Sequence, residues 1–324
     1  MPSTKVALVR CENYDPAQVA QAIHRQIDLL GGIATFVKPG DSVLVKPNFI
    51  TPHSHHHSAA QTHPTVIIEV ARLLKDCGAR PFVADSPSWA NAAACARVLE
   101  LTEPLQKLGV PIRQLDRPRK VRLGCDGPRV GLSSAALDAD AIINLPKLKA
   151  HQQLTATFAV KNMFGCVSGK HKALWHFRKG DDTTEFCTML IGIYERLAPV
   201  LTIIDGIVAM EGQGPIHGQS RPLGWLVAGT EPIACERVCC GLIGMAPETV
   251  PIIRTAKEIG FGCADPTQIE VVGDAMPTTP CPDFVMPRLT PIKFTFARIC
   301  RSVGKQILIL TTGSKDGRTH STRK

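Results

Sequence analysis

A chain of 324 residues, 44% hydrophobic and 20% charged, has the length and balance of a folded protein with a large core. Its apolar runs stop short of the roughly 18 residues that a membrane-spanning helix needs, and "MPSTKVALVR" lacks a secretory h-region, so a cytoplasmic location is expected. The net charge of +9 lies almost wholly in residues 288–324, which hold nine Lys/Arg against one acidic residue, whereas residues 1–287 hold 28 against 27; this argues against a broad nucleic-acid-binding face.

In chain order, "KVALVR" reads as a strand and "DPAQVAQAIHRQIDLLGG" as a helix, with Asp15 at the N-cap, Pro16 at the first position and glycines closing it. "DSVLVKPN" is a second strand, "HPTVIIEVARLLKDCG" a helix opened by Pro64, and "RPFVAD" a third strand. Continuous apolar strands alternating with helices predict an α/β fold, with a mostly parallel sheet covered by helices on both faces. The pattern loosens through "GVPIRQLD" and "KVRLGC", which leaves room for a small inserted sub-domain around residues 87–135. It resumes with "ADAIINLPKLKAH" and with "LTIIDGIVAMEGQGP", a strand running into a Gly-rich loop. "GWLVAG" and "IEVVG" read as late strands, with "PIACERVCCGLIG" and "VPIIRTAKEIG" as helices between them. One α/β body over residues 1–287 is expected, followed by a basic tail over 288–324. In that tail Ile292, Phe296, Ile299, Val303, Ile307 and Leu310 fall at helical spacing, opposite Arg298, Arg301 and Lys305. This C-terminal basic amphipathic helix suits docking on the protein's own body, on a protein partner through residues 291–310, or peripherally on an anionic membrane.

Twelve cysteines include no C-x-x-C pair. Most lie in apolar surroundings such as "ACERVCCGLIG", where thiols behave as small hydrophobes. The histidine run "HSHHHS" at 53–58 reads either as a loop or as a metal-binding loop, because adjacent imidazoles take divalent metals readily.

In open α/β sheets ligands bind where strands end and the chain leaves the sheet. Those exits are rich in polar residues: Lys46 and Asn48; Asp85 and Ser86; Asn144, followed by Lys147, Lys149 and His151; and Asp205, followed by Glu211, Gly212 and Gly214. Residues 144–176 alone hold five lysines, three histidines and two asparagines. Lysines gathered at strand ends suit a carboxylate or phosphate, although a solvated basic loop has the same composition. "LTATFAVKNMFG" sets Lys161 and Asn162 inside an apolar helical pattern, where an unpaired lysine is costly. A buried lysine can also lose its proton and serve as a base or a Schiff-base amine. Phosphate-loop, dinucleotide, zincin and serine-hydrolase motifs all fail on spacing: "GCVSGKH" lacks the Ser/Thr after its lysine, and "HKALWH" lacks H-E-x-x-H.

Taken together, "VLVKPNF", "THP" at 62–64, "ADSPS", "INLPKLKAH", "AVKNMFGCVSG", "DGIVAMEGQGP" and "EPIACERV" resemble the domain-of-unknown-function 362 family, over roughly residues 5–275. Many members of that family carry a C-terminal ferredoxin-like segment that binds [4Fe–4S] clusters. This sequence departs from that pattern after "PRLTPIKF", so a [4Fe–4S] cluster is not expected. The resemblance singles out Lys46, Asn48, Thr62 and His63 and leaves the histidine run in an open segment.

The expectation is an enzyme acting on a small anionic ligand. Lys149, His151, Lys161, Asp205 and Glu211 are its catalytic candidates. Lys46, Asn48, Thr62, Asn144, Lys147, Asn162, Gly212 and Gly214 are its substrate-binding candidates. His63 and Asp85 are candidate ligands for a divalent or transition metal. Proton abstraction beside a carboxylate, isomerisation and metal-assisted redox chemistry all fit this set. The alternative is a non-catalytic redox accessory or binding module descended from the cluster-bearing members.

Overall fold

The computed structural model describes residues 3–52, 59–87, 90–168, 170–263, 265–281 and 283–292. Strand β1 (Thr4–Arg10) opens the chain, and helix α1 (Pro16–Leu29) follows it. Asp15 caps α1 by accepting from the Ala17 and Gln18 N–H groups, and Pro16 stands in the first turn, where its missing N–H has no intrahelical partner to lose. β2 (Ser42–Pro47), α2 (Pro64–Asp76) and β3 (Arg80–Asp85) lie where their sequence patterns predict them.

After α3 (Ala92–Val98) and α4 (Thr102–Lys107), β4 (Ile112–Gln114) pairs in parallel with β3 and so joins the main sheet. Of the region that left room for an insertion, only β5 (Pro118–Arg122) and β6 (Arg129–Ser133) stand apart, as a two-stranded antiparallel sheet. The chain continues through α5 (Ser134–Leu137), β7 (Ala141–Leu145), β8 (Lys147–His151) and β9 (Thr155–Thr157). The stretch expected as a helix around Lys161 is instead β9, the single turn α6 (Ala159–Asn162) and a 3-10 turn, Met163–Cys166. Its apolar spacing fits burial on several sides rather than one helical face. Two helices that the sequence reading left unmarked follow, α7 (Lys170–Lys179) and α8 (Thr183–Leu197). The long strands β10 (Leu201–Glu211) and β11 (Gln219–Gly229) lead to α9 (Pro232–Leu242), α10 (Pro251–Ile259) and β12 (Ile269–Gly273).

The main sheet runs β12-β1-β11-β10-β7-β2-β3-β4, with β8 alongside β10 and β9 beside β8. It is largely parallel, and β11 is antiparallel to both of its neighbours. Successive side chains of β1 face opposite ways: Val6 and Leu8 enter one core with Phe186, Leu190, Val238 and Ile253, while Ala7 and Val9 enter another with Val19, Ile23, Val66 and Ile67. Helices therefore cover both faces, which is why the central strands read as unbroken apolar runs. Among the described residues eleven cysteines are free, and seven of these are buried, including three on α9. Residues 53–58 and the expected tail helix beyond Ile292 lie outside the described residues.

Candidate functional site

The parallel strands β2, β3 and β7 end on one side of the sheet, and β8 turns out beside β10 at that same end. Four buried lysines gather there, and most of them are tied down. Lys46 Nζ lies 2.9 Å from Asp85 Oδ1 and donates to Pro47 O at 2.6 Å. The Asp85 carboxylate also accepts from the N–H groups of Phe49 and Ser86. Gly165 closes over this pair, since a Cβ at that position would come within 2.5 Å of both Asp85 Oδ1 and Lys46 Nζ. The glycine of "KNMFGC" is therefore a packing requirement.

A second pair is equally buried. Lys147 Nζ lies 2.8 Å from Asp205 Oδ2 and donates to Tyr14 OH at 2.7 Å. Tyr14 OH in turn donates to Asp205 Oδ1, and the His63 N–H donates to Asp205 Oδ2, both at 2.9 Å. The Tyr14 and His63 rings stack at 3.5 Å. Burial lowers the Lys147 pKa and the Asp205 charge opposes that shift; burial, reinforced by Asp205, holds Tyr14 well above its ordinary value and so keeps it protonated.

Between the pairs runs a chain of amides. Asn48 Nδ2 donates to Asn162 Oδ1 at 3.0 Å, and Asn162 Nδ2 donates to Asn144 Oδ1 at 2.8 Å and to Lys46 O at 3.2 Å. Asn144 Nδ2 reaches Ala159 O, which ties the α6 turn to the end of β7. Thr62 accepts from the Asn48 N–H and donates to Leu145 O. Lys149 Nζ donates to Asn48 Oδ1 and, at 2.6 Å, to Ala60 O. Burial, with the Lys147 charge next, pushes the Lys149 pKa well below the ordinary lysine value.

The remaining basic groups lack such compensation. Lys172, buried on α7, donates to Ser86 O, and burial lowers its pKa to about 8. Lys161 has no hydrogen bond or ion pair among the described residues. Its Nζ stands 4.4 Å from the centre of the Phe164 ring and 5.6 Å from that of Phe186. Burial, and then the Lys172 charge, bring its pKa down to about 7. His151 Nδ1 accepts from the Gln153 N–H at 3.1 Å, so the neutral ring carries its proton on Nε2. Burial, followed by the charges of Lys161 and Lys149, holds His151 well below the usual histidine range. His176, packed against Phe186 with ring centres 4.8 Å apart, is held down to about 3 chiefly by burial.

The structure thus brings Lys46, Asn48, Asn144, Lys149, His151, Lys161 and Asn162 to one end of the sheet, linked by hydrogen bonds or by mutual charge effects. Glu211, Gly212 and Gly214 lie at the β10–β11 turn. Glu211 accepts from the Val285 N–H at 3.0 Å and stands 4.0 Å from Arg221, while Gly212 N–H donates to Val285 O. Gly214 packs against β8, where a Cβ would fall 1.8 Å from Ala150 O. Two metal-ligand candidates are engaged otherwise: Asp85 as described, and His63 as the N-cap of α2, where it accepts from the Thr65 N–H. No group of three or more His, Cys, Asp or Glu side chains placed to hold a metal ion occurs among the described residues.

Sequence reasoning passed over several contributors. Tyr14 is one of only two tyrosines, a signal that was available. Lys172 and His176 fall inside the Lys/His-rich stretch but gain meaning only from the fold of α7. Glu236 on α9 falls within "EPIACERV", one of the motifs of the resemblance, but is not among the site residues expected from the sequence: its Oε1 accepts from the Val160 N–H at 2.8 Å and supports the turn that carries Lys161. Its Oε2 has no hydrogen-bond partner among the described residues, and burial raises its pKa to about 8.

Comparison with known proteins gives a close relative and a distant structural likeness. The chain is 36% identical over 313 residues to a thylakoid-associated protein of Synechocystis sp., and the match covers 94% of each chain. A lactate racemase apoprotein from Thermoanaerobacterium thermosaccharolyticum superposes with a TM-score of 0.44 at 11% identity, over 73% of this chain and 57% of that one. A likeness that weak carries no argument about activity. No helix among the described residues is long and apolar enough to cross a membrane. Residues 43–241, which contain the lysine pairs, the amide chain and Lys161, match the domain of unknown function DUF362, and the chain belongs to that family.

Proposed function

We propose that the protein is an enzyme that binds a small carboxylate or phosphate at the ends of β2, β3 and β8 and moves a proton on it. One observation carries the reading: Lys161, a half-buried residue, has a desolvated amine with no oxygen partner among the described residues, beside other basic groups. Buried basic groups that outnumber the acids among them, Asp85 and Asp205, are costly unless an anion completes the set. Lys149 and Lys172 retain N–H groups beyond their present acceptors, Asn48 Oδ1 and Ala60 O for the first and Ser86 O for the second. They would hold the anion's charge. Lys161, poised near neutrality, would take or return the proton, and the neutral His151 would donate from Nε2 to a developing oxygen charge. Lys46, Lys147, Asn48, Asn144, Asn162, Thr62, Asp85 and Asp205 would hold this arrangement in place rather than react.

Titration calorimetry with phosphate, lactate and pyruvate, against chloride, tests the reading. Wild type should bind at least one of the three, and Lys161→Met should weaken that binding by roughly tenfold or more, the loss of one charge-assisted contact. Equal binding by both proteins overturns the role given to Lys161.

The thylakoid association of the Synechocystis relative supports a second statement, about location. Residues 288–324, with nine basic residues against one acidic, would attach the protein peripherally to an anionic membrane. Co-sedimentation with phosphatidylglycerol vesicles that is lost at high salt is the expected result; binding that is insensitive to both salt and lipid charge overturns it.

A further inference from the structure

We infer that Lys161 is a covalent nucleophile, and that the substrate class of this site is a 2-oxo carboxylate, which condenses with the Lys161 amine. The inference rests on the anion-site reading above and deepens it.

The argument begins with how each lysine at this end of the sheet is held. Lys46 donates to Asp85 and Pro47 O, Lys147 to Asp205 and Tyr14, Lys149 to Asn48 and Ala60 O, and Lys172 to Ser86 O. Those nitrogens are fixed by oxygens and are not free to approach a carbonyl carbon while they remain so; this holds for Lys149 too, whose pKa burial pushes well below the ordinary value. Lys161 meets aromatic faces, Phe164 at 4.4 Å and Phe186 at 5.6 Å, with no oxygen partner among the described residues, whereas Lys147, 5.3 Å from the centre of the Tyr14 ring, is held by oxygens as well. Rings solvate a cation more weakly than oxygens do and accept the neutral amine without loss. Desolvation together with a neighbouring cation is the combination that activates a nucleophilic lysine, and it is the combination found here, with a pKa near 7 as the result.

The surroundings define the electrophile. Lys172, with a pKa of about 8, supplies positive charge for a carboxylate, and Lys149 supplies N–H donors. His151, with Nδ1 occupied by the Gln153 N–H, presents Nε2–H as a neutral donor for a carbonyl oxygen. A carboxylate carbon bonded directly to a carbonyl carbon offers an anion for the lysines and an oxygen for His151 within one small molecule. In the reaction the Nζ lone pair forms a C–N bond as the C=O π pair moves to oxygen. One proton passes from nitrogen to that oxygen, giving a carbinolamine. Loss of the hydroxyl with the second nitrogen proton, as water, leaves a C=N bond. One amine and one carbonyl give one imine and one water, with no change in oxidation state.

The test is reductive trapping of the full-length protein with pyruvate and borohydride at pH 7, read by intact mass and peptide mapping. Hydride adds to the imine carbon and a proton to nitrogen, leaving a stable carboxyethyl-lysine. Adduct on Lys161 should exceed that on any exposed lysine, such as Lys107, by roughly tenfold or more, since a pKa near 7 leaves about half of the amine neutral. Lys161→Arg should lose the mapped adduct, and mapping of the wild type decides the matter by itself if that variant fails to fold. Lactate, which has no carbonyl to attack, serves as the parallel ligand in calorimetry. Binding of lactate or pyruvate without a Lys161 adduct overturns the covalent role and leaves the anion site standing. Adducts spread evenly over the lysines also overturn it. Absence of the adduct together with absence of binding of phosphate, lactate and pyruvate overturns both readings.

Discussion

Lys147 and Lys161 lie in the same region of the fold and meet burial in opposite ways. Lys147 is enclosed by Asp205 and Tyr14, within a network that also engages His63 and Val208 through their backbone N–H groups. Lys161 rests on two phenyl rings beside Lys172 and His151 and has no acid paired with it among the described residues. The first arrangement resolves its electrostatics internally, and the second leaves positive charge for something else to balance. A buried charge with complete partners is part of the scaffold; one without them is where a ligand can add most.

The comparison breaks first under mutation of each partner set. Asp205→Ala should cost about 3–5 kcal/mol in urea denaturation, because it strands the Lys147 charge in the interior. Lys161→Met should cost nothing or stabilise by about 1 kcal/mol, because it removes a desolvated charge and keeps the volume. Equal losses in the two variants would show that Lys161 is as well compensated as Lys147.

The next effect is one of pH. The folded-state pKa of Glu236 is raised to about 8 from an ordinary value of 4.5. Between those values the folded protein holds a proton that the unfolded chain releases. The stability contribution of Glu236 is therefore complete below pH 4.5 and is lost as pH rises towards 8. Glu236→Gln should remove that slope, gaining on the wild type by at most about 1.4 kcal/mol per pH unit across the window. Parallel pH profiles for the two proteins would place an ionised carboxylate at this position.

Gly165→Ala probes the packing over the Lys46–Asp85 pair and should cost about 1–3 kcal/mol, since its Cβ meets two charged atoms that cannot withdraw. Tyr14→Phe sharpens the comparison most gently. It removes one hydroxyl from the Lys147 network and should cost about 1 kcal/mol in thermal or urea denaturation, leaving the response of Lys161 to anions unaltered.

Much of this was legible in the chain. The caps at Asp15 and Pro16, the helix opening at Pro64 and the apolar strands "KVALVR" and "RPFVAD" state their conformations locally, through backbone preference and burial pattern. The polar strand ends could be collected as candidates on the same basis. The 144–176 stretch was harder. Its apolar spacing suggested a helix through Lys161, whereas the chain forms a strand, one turn and a 3-10 turn, because neighbours on several sides bury it together. Helices α7 and α8 were missed for a related reason: α7 is rich in lysine and histidine and shows no clear apolar stripe until Trp175 and His176 meet the core. The antiparallel placement of β11 could not be read from its residues, since a strand buried on both faces looks the same in either direction.

By itself, then, the sequence determined the α/β class, the position of most strands and caps, the concentration of basic charge in residues 288–324 and the set of residues from which a site could be built. These are properties of neighbours along the chain: periodicity, proline and glycine geometry, and composition. Only the tertiary structure decided which lysine meets which acid. Asp205 reaches Lys147 across 58 positions, Asp85 and Lys46 meet from adjacent strands, and Glu236 supports Val160 from 76 residues away. Charge compensation depends on distance in space and on the exclusion of water, and neither is encoded in local spacing. Identical lysines therefore became structural at Lys147 and uncompensated at Lys161.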